Sequence, residues 1–365
     1  MLHVIKKECE LGRPIVVFGA GETGERVIKI LQKNNIKIDY ICDNDVNKQG
    51  KLFHTYKVLA ANEIQYNNSP IVIVASLYFK EIEKQLIELG VNSIVIYKEL
   101  FLKKNVLYEK LVFPCCSSPK VSIVLTVFNG WKYTYECLKS ILHAKTNIPY
   151  EVIVGDNVST DETKNMEQYV ENITIIHNKE NLGYLRNCNE TSKHAKGKYM
   201  VLLSNDVKII SDYWMDKWVE SFIKDNSIGA LGGIVYGWDL EDANFGYSVN
   251  EKVEFISNRE KNGIYDVDYL CPACICFQTA IWREIGGYDE LFCPAWYEDI
   301  DIYCELRKHG YRLVLDTNVQ YVHYENVTYG ITRNQDSIFW QNHQKFIDKW
   351  SKHWEYVTAV KSITI

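Results

Sequence analysis

No stretch of the sequence reaches the roughly 20 consecutive apolar residues that a membrane-spanning helix needs. A helical span is therefore not expected. The N-terminus carries charged residues through Glu10 with no long apolar run or small-residue cleavage site behind them. No secretory signal is read there, and the expected compartment is the cytoplasm. An excess of positive charge is missing as well: 41 Lys and Arg stand against 47 Asp and Glu, a formal net charge of −6. Without a basic block, nucleic acid is not an expected partner. Eleven cysteines are present, but Cys271, Cys274 and Cys276 lie in an apolar run and lack a second Cys or His pair at zinc-like spacing. In a cytoplasmic chain they read as buried thiols rather than a zinc site or a disulfide framework. Internal repeats and low-complexity segments are also lacking.

What is present is the composition of a soluble globular protein, 47% apolar and 24% charged, in 365 residues, a length that suits two domains. Apolar runs of strand length at 15–18, 38–42, 71–75 and 93–97 alternate with helical patterns at 22–32 and 79–89. That rhythm predicts an α/β fold with a parallel sheet and crossover helices. Two prolines, Pro114 and Pro119, enclose Cys115, Cys116, Ser117 and Ser118 and mark a linker. The expected organisation is a Rossmann-like domain over residues 1–112, a linker over 113–119, a second α/β domain over 120–330 and a helical extension over 331–365.

In the first domain Gly19, Gly21 and Gly24 follow a strand and open a helix, and Asp43 ends the next strand. Glycines in this context let backbone amides approach a phosphate, and an acidic group there can take ribose hydroxyls. About 100 residues are too few for a full dinucleotide fold. Residues 12–97, with Asp43-Asn44-Asp45, Lys48, Gly50 and Tyr56-Lys57-Val58, resemble the small Rossmann-like domain that begins many sugar-modifying acyltransferases and polysaccharide-biosynthesis proteins. Nucleotide binding and a structural or oligomerising role are both open, so a homo-oligomer is one expectation.

In the second domain an apolar strand over 121–127 ends in Thr126, Val127, Phe128 and Asn129, and a second over 151–154 runs into Asp156, Asn157 and Ser159. Carboxyl ends of adjacent parallel strands face one crevice, so these residues are expected to line a single pocket where Asp156 can accept from a pyrimidine N–H. Thr160 and Asp161 read as caps of the next helix. Strands are further expected over 199–203 and 269–277, and helices over 133–142, 213–224 and 300–309, the last ended by Gly310.

These segments are similar to family 2 glycosyltransferases with the GT-A fold, and later segments agree in order. Asn181-Leu182-Gly183 with Arg186 and Asn187 resembles the loop after the third strand of that family. Leu202-Leu203-Ser204-Asn205-Asp206-Val207 stands at the place of its Asp-x-Asp motif, with Ser204 where the first acid is expected. Gly286-Gly287-Tyr288-Asp289-Glu290 leading to Trp296-Tyr297-Glu298-Asp299-Ile300-Asp301 resembles its acidic acceptor-side motif. The resemblance implies an inverting transfer of sugar from a nucleoside diphosphate, UDP first and dTDP second, to a hydroxyl of a glycan or lipid-linked glycan. It implies a divalent metal, Mn²⁺ or Mg²⁺, on Asp206 and His323, Asp299 as general base beside Glu298, and a donor site that includes Gly183, Arg186 and Asn205. Asp301 reads as structural.

Beyond 330, Phe339, Trp340, His343, Phe346, Ile347, Trp350 and Trp354 recur at helical spacing with lysines between them. Core packing is the first reading of that face, and peripheral contact with the inner face of a membrane is the second. Two other function classes have less support in the sequence. An NAD-dependent oxidoreductase needs a second nucleotide half that the sequence after Tyr97 does not supply. A catalytically inactive sugar-binding scaffold is favoured only by Ser204.

Overall fold

The computed structural model describes residues 1–64, 68–102, 108–250, 252–325 and 335–358. The chain forms two compact units, the first running to Leu107 and the second starting at Tyr108. This division falls ahead of the expected linker over 113–119, because the strand β7 (Leu111–Val112) pairs with β10 (Val170–Glu171) of the second unit. The expected boundary at 330/331 lies outside the described residues.

The first unit contains helices α1 (Leu2–Glu10), α2 (Glu22–Lys33) and α3 (Phe79–Glu88) and a six-stranded sheet. Its strands are β1 (Ile15–Phe18), β2 (Tyr40–Cys42), β3 (Leu52–Phe53), β4 (Tyr56–Leu59), β5 (Ile71–Val74) and β6 (Ile94–Ile96), in the order β3-β4-β2-β1-β5-β6. All pairs are parallel except β3 with β4. Fully buried Ile and Val in β1 and β5 explain their uninterrupted apolar runs, since both faces of a parallel sheet are covered. The glycine loop packs tightly: a Cβ on Gly24 would lie 1.9 Å from the Gly19 carbonyl oxygen, and one on Gly19 would lie 2.3 Å from that of Ala75. Asp43 accepts the Ala20 N–H at 2.7 Å and pairs with Lys48 at 3.2 Å. Its carboxylate thus ties the loop within the unit, and Glu22 and Glu25 place two further acids in the first turn of α2, where a phosphate would approach. Gly19, Gly24 and Asp43 are accounted for by this packing, and only Gly21 has open space around its Cα.

The second unit is built on a long mixed sheet. Its parallel half comprises β8 (Val121–Val127), β9 (Tyr150–Asp156), β11 (Thr174–His177) and β12 (Tyr199–Ser204), with α4 (Trp131–His143) and α5 (Gly183–Ser192) as connections. After β13 (Val207–Ile209) and α6 (Trp214–Lys224) come β14 (Ile228–Tyr236) and four short strands, β15 (Ala243–Asn244), β16 (Tyr247–Val249), β17 (Phe255–Ser257) and β18 (Ile264–Asp266). Then follow β19 (Cys274–Gln278), α7 (Thr279–Glu284), α8 (Glu298–Lys308), β20 (Arg312–His323) and α9 (Gln335–Trp350). The main order is β11-β9-β8-β12-β19-β14-β20-β13. The strand expected over 269–277 is shorter and later, because Tyr269 bridges Tyr247 and only Cys274–Gln278 pairs with β12 and β14. The helix α9 docks through fully buried Phe346 and Trp350, while Trp340 stays 63% exposed, so core packing holds for part of that face. Among the described residues no helix is long and apolar enough to cross a membrane.

Candidate active site

Register fixes the floor of the site. Thr126 pairs with Gly155 and with Ser204, and one residue further along Val127 pairs with Asp156 and Asp156 with His177. The carboxyl ends of four parallel strands therefore bring Thr126, Asp156, His177 and Ser204 to one edge, the place where such sheets bind ligands. Asp156 is buried, and its Oδ1 accepts the Ser159 N–H at 3.1 Å. Its Oδ2 meets His177 Nδ1 at 2.9 Å.

Several residues expected to touch the donor hold the loops at this edge. Asn129 adopts a left-handed φ of 58°, donates its N–H to Ser159 Oγ at 2.8 Å and accepts from the Thr160 and Asp161 amides on Oδ1. Asn157 donates to Asn181 Oδ1 at 2.7 Å and accepts the Leu182 N–H at 2.8 Å. Asn205 donates to Thr134 Oγ1 at 2.9 Å and to the Asn129 carbonyl at 3.2 Å. Asn129, Asn157, Ser159 and Asn205 thus have a scaffold role in these loops, with both backbone and side-chain partners. Asp161 caps as expected, accepting from Thr163 and from Gly130 and Trp131 at the start of α4. Thr160 does not cap; it is held by Asn129. Val127 is buried in β8 and Phe128 is half-buried at its end.

The helix α5 starts at Gly183, whose φ of 75° suits glycine. Arg186 faces solvent and pairs with Glu290 at 2.9 Å, and a surface pocket of about 310 Å³ beside them is also lined by Leu182, Glu190 and His194. Tyr184 points the other way. Burial pushes its hydroxyl well above the ordinary tyrosine range, with Cys188 and Glu298 among the groups that raise it further. Cys188 in turn reaches Thr126 Oγ1 at 3.8 Å, and burial pushes its thiol up to about 12.

Asp206 lies in the turn between β12 and β13, and His323 ends β20. Pairing of Val207 with His323 brings Asp206 Oδ1 to 3.3 Å from His323 Nε2. Burial opposes charge on His323, but the Asp206 carboxylate outweighs it and holds the imidazole well above its ordinary pKa. Among the described residues no group of three or more His, Cys, Asp or Glu side chains gathers as a preformed metal cluster. What meets at this turn is one carboxylate and one imidazole.

Glu298 and Asp299 open α8 directly after Trp296 and Tyr297, which carry φ of 78° and 74°. Two consecutive non-glycine residues in that region store backbone strain of about 1–3 kcal/mol each. Glu298 is buried, and its Oε2 has no hydrogen-bond partner. Burial, helped by the charge of Asp299, pushes its carboxyl up to about 8. Asp299 is also raised by burial, but it receives the Tyr269 hydroxyl and the Ile300 N–H, which favour its ionised form. Burial therefore favours the protonated form of Glu298, while the hydrogen bonds to Asp299 favour its ionised form. Asp301, three residues along α8 from Glu298, binds Lys349 and the Trp350 indole.

Sequence reasoning missed His177, Tyr184 and Tyr269. His177 ends its strand as Asp156 ends the neighbouring one, and Tyr184 follows Gly183 in the resembled loop, so both carried a positional signal. Tyr269 carried none.

Residues 122–285 match the family model described as Glycosyl transferase family 2, and residues 12–97 match that described as C2185-like, N-terminal. The O-antigen biosynthesis protein RfbC of Myxococcus xanthus is 23% identical over 267 residues, 64% of this chain and 20% of its own length. The putative glycosyltransferase EpsE of Bacillus subtilis is 24% identical over 201 residues, 54% of this chain and 69% of its own. The chain thus spans only a fifth of the first relative. The crystal structure of GalNAc-T7 with UDP, GalNAc and Mn²⁺ superposes with a TM-score of 0.55 at 14% identity, covering 66% of this chain and 49% of that one. That likeness concerns the fold, which is GT-A.

Proposed function

We propose that this chain, a family 2 glycosyltransferase, moves a hexosyl or deoxyhexosyl group with inversion from a nucleoside diphosphate, UDP first and dTDP second, to a hydroxyl of a glycan or lipid-linked glycan in cell-surface polysaccharide assembly. The single observation that carries this reading is the gathering of Thr126, Asp156 and Ser204 at the carboxyl edge of the parallel strands, with Asp206 in the next turn 3.3 Å from His323. Asp156, at the end of β9, is the group that accepts an imide N–H of a pyrimidine base. Asp299 takes the proton of the acceptor hydroxyl as its oxygen attacks the anomeric carbon, a role that suits the ionised member of the pair. Protonated Glu298 has a buried oxygen free to donate to or accept from the incoming sugar. One displacement without a second nucleophilic carboxylate inverts the anomeric centre.

A divalent cation fits the Asp206 and His323 donor set, with diphosphate oxygens and water completing its shell, because Mn²⁺ and Mg²⁺ accept carboxylate and phosphate oxygens and Mn²⁺ also takes imidazole. A cation held by Asp206 and His323 would neutralise the charge that develops on the leaving diphosphate. Ser204 leaves the protein with two ligands instead of three, so metal affinity is expected to depend strongly on the nucleotide. The name of RfbC, an O-antigen biosynthesis protein, supports the polysaccharide context. The test is a thermal-shift screen of nucleoside diphosphates and nucleotide sugars with and without Mn²⁺, since a ligand of the native state raises its melting temperature by mass action. A flat response to every UDP and dTDP compound in both series would defeat the reading.

A further inference from the structure

The loop from Phe292 to Tyr297 has little regular structure, yet it delivers Glu298 and Asp299. Its carbonyls need partners, and one side chain of α9 supplies them. Asn342 is only 1% exposed, and its Nδ2 donates toward the carbonyls of Phe292 at 2.7 Å, Ala295 at 2.8 Å and Trp296 at 3.2 Å. Its Oδ1 accepts from Lys345 Nζ at 2.8 Å, and that ammonium also donates to the Leu291 carbonyl at 2.9 Å. An amide nitrogen toward three carbonyls and an amide oxygen toward an ammonium is the one orientation that satisfies both ends. Beside it, Tyr297 OH and His343 Nδ1 lie 2.7 Å apart, and the Phe339 and Phe346 rings pack on Tyr297 at 5.3 and 5.4 Å.

We infer that Asn342 is a positioning residue for the acceptor-side carboxylates, and that α9 belongs to the catalytic apparatus. The inference rests on the reading that Glu298 and Asp299 act on the acceptor. The left-handed conformations of Trp296 and Tyr297 persist only where surrounding contacts over-determine them. Asn342 holds the carbonyl of the first, and His343 holds the side chain of the second. Without those ties the loop can relax to ordinary φ values, and the first residues displaced are Glu298 and Asp299. Misplacement by about 1 Å at a reacting group can cost about 100-fold in rate.

The test compares the full-length parent with Asn342→Ala, Asn342→Asp and Tyr297→Phe. Nucleotide release from UDP-glucose, UDP-N-acetylglucosamine and dTDP-rhamnose is measured with Mn²⁺, with water or octyl glucoside as acceptor, and rates are divided by the folded fraction from near-UV circular dichroism. Hydrogen exchange of peptides spanning 292–300 is followed in parallel. The expected result is a fall in kcat of about 10- to 100-fold in the Asn342 variants and a smaller fall in Tyr297→Phe. Donor KM should stay within about twofold, and exchange should rise in 292–300 but not in β8 and β9. A role in stability alone would lower the folded fraction and leave kcat per folded molecule and local exchange at the parent values, and that result overturns the inference. Should neither Asn342 variant fold, Tyr297→Phe decides: parent kcat with parent exchange overturns it. Asp299→Asn run beside them separates the two ideas. Full activity in Asp299→Asn defeats the acid–base reading, whereas its loss alongside unchanged Asn342 variants defeats the positioning role alone.

Discussion

His177 and Asp156 are registered neighbours on β11 and β9, and the imidazole between them and Glu167 has a carboxylate oxygen at each ring nitrogen, 2.9 Å from Nδ1 and 2.5 Å from Nε2. Both nitrogens must donate to satisfy both acids, which is the imidazolium form. Its pKa is accordingly raised, by Glu167 first and Asp156 second. A raised pKa means that the native state binds the proton more tightly than the unfolded chain. The stabilisation is therefore complete below about pH 6.5 and is lost as pH rises through the folded value. His177→Gln should lower stability by no more than about 1 kcal/mol at pH 6, since the ring is half exposed and screened. By pH 9 the difference should vanish. Urea denaturation of both proteins at the two pH values measures this, and a gap that widens toward pH 9 would contradict the assignment.

The Asp206 and His323 pair predicts an ordered effect on metal use. Asp206→Asn removes the anionic ligand and should abolish Mn²⁺-dependent stabilisation by UDP. His323→Ala should leave that response detectable but require about 10-fold more Mn²⁺, in the range seen when a metal site loses part of its support. Titration of the thermal shift with Mn²⁺ at fixed UDP reads both. Parent-like metal dependence in His323→Ala would remove the imidazole from the site.

Asp299→Asn keeps the shape of α8 and the Tyr269 contact while deleting the proton acceptor. Transfer should fall by about 10²- to 10⁴-fold with donor affinity almost unchanged. Glu298→Gln should do less, because burial already favours the protonated form of Glu298. Single-turnover transfer at saturating donor distinguishes them. Parent turnover in Asp299→Asn together with an inert Glu298→Gln would reverse the two roles.

Lys349 Nζ lies 2.8 Å from Asp301, 2.9 Å from Asp289 and 3.5 Å from Glu305, and so fastens α9 to α8. Burial pushes Asp301 up to about 6 despite the ammonium. Lys349→Met strands that carboxylate with the Trp350 N–H alone and should cost about 2–4 kcal/mol, the lower part of the range for a broken buried pair because Lys349 is partly exposed. An acid whose folded pKa is raised gains stability on protonation, so the variant should recover part of the loss as pH falls from 7 to 5. Asp301→Asn should cost less than Lys349→Met. Denaturation midpoints at pH 7 and 5 check both statements, and equal losses at the two pH values would refute the electrostatic account.

Much of this protein was legible along the chain because it depends on short-range pattern. Buried parallel strands must read as apolar runs, and the residue that ends such a run is delivered to the crevice, which is how Thr126, Asp156 and Asp206 could be found. The helix starting at Glu298 and the acids at its head were visible for the same reason. Which polar groups remain available to a ligand was not visible, because hydrogen-bond partners come from elsewhere in the fold. Asn129, Asn157 and Asn205 hold loops through partners that no local pattern in the sequence reveals.

Tertiary structure alone decided the pairings between distant segments. Asp206 meets His323 through the register of β13 with β20, and Tyr269 meets Asp299 from an irregular stretch that reads as a strand. Asn342 reaches the loop ahead of α8 from a helix whose sequence shows only an aromatic face. A local pattern records what each segment prefers and which face it buries. Pairings made across the sheet follow from the packing of whole elements, and that packing has no signature within any one segment.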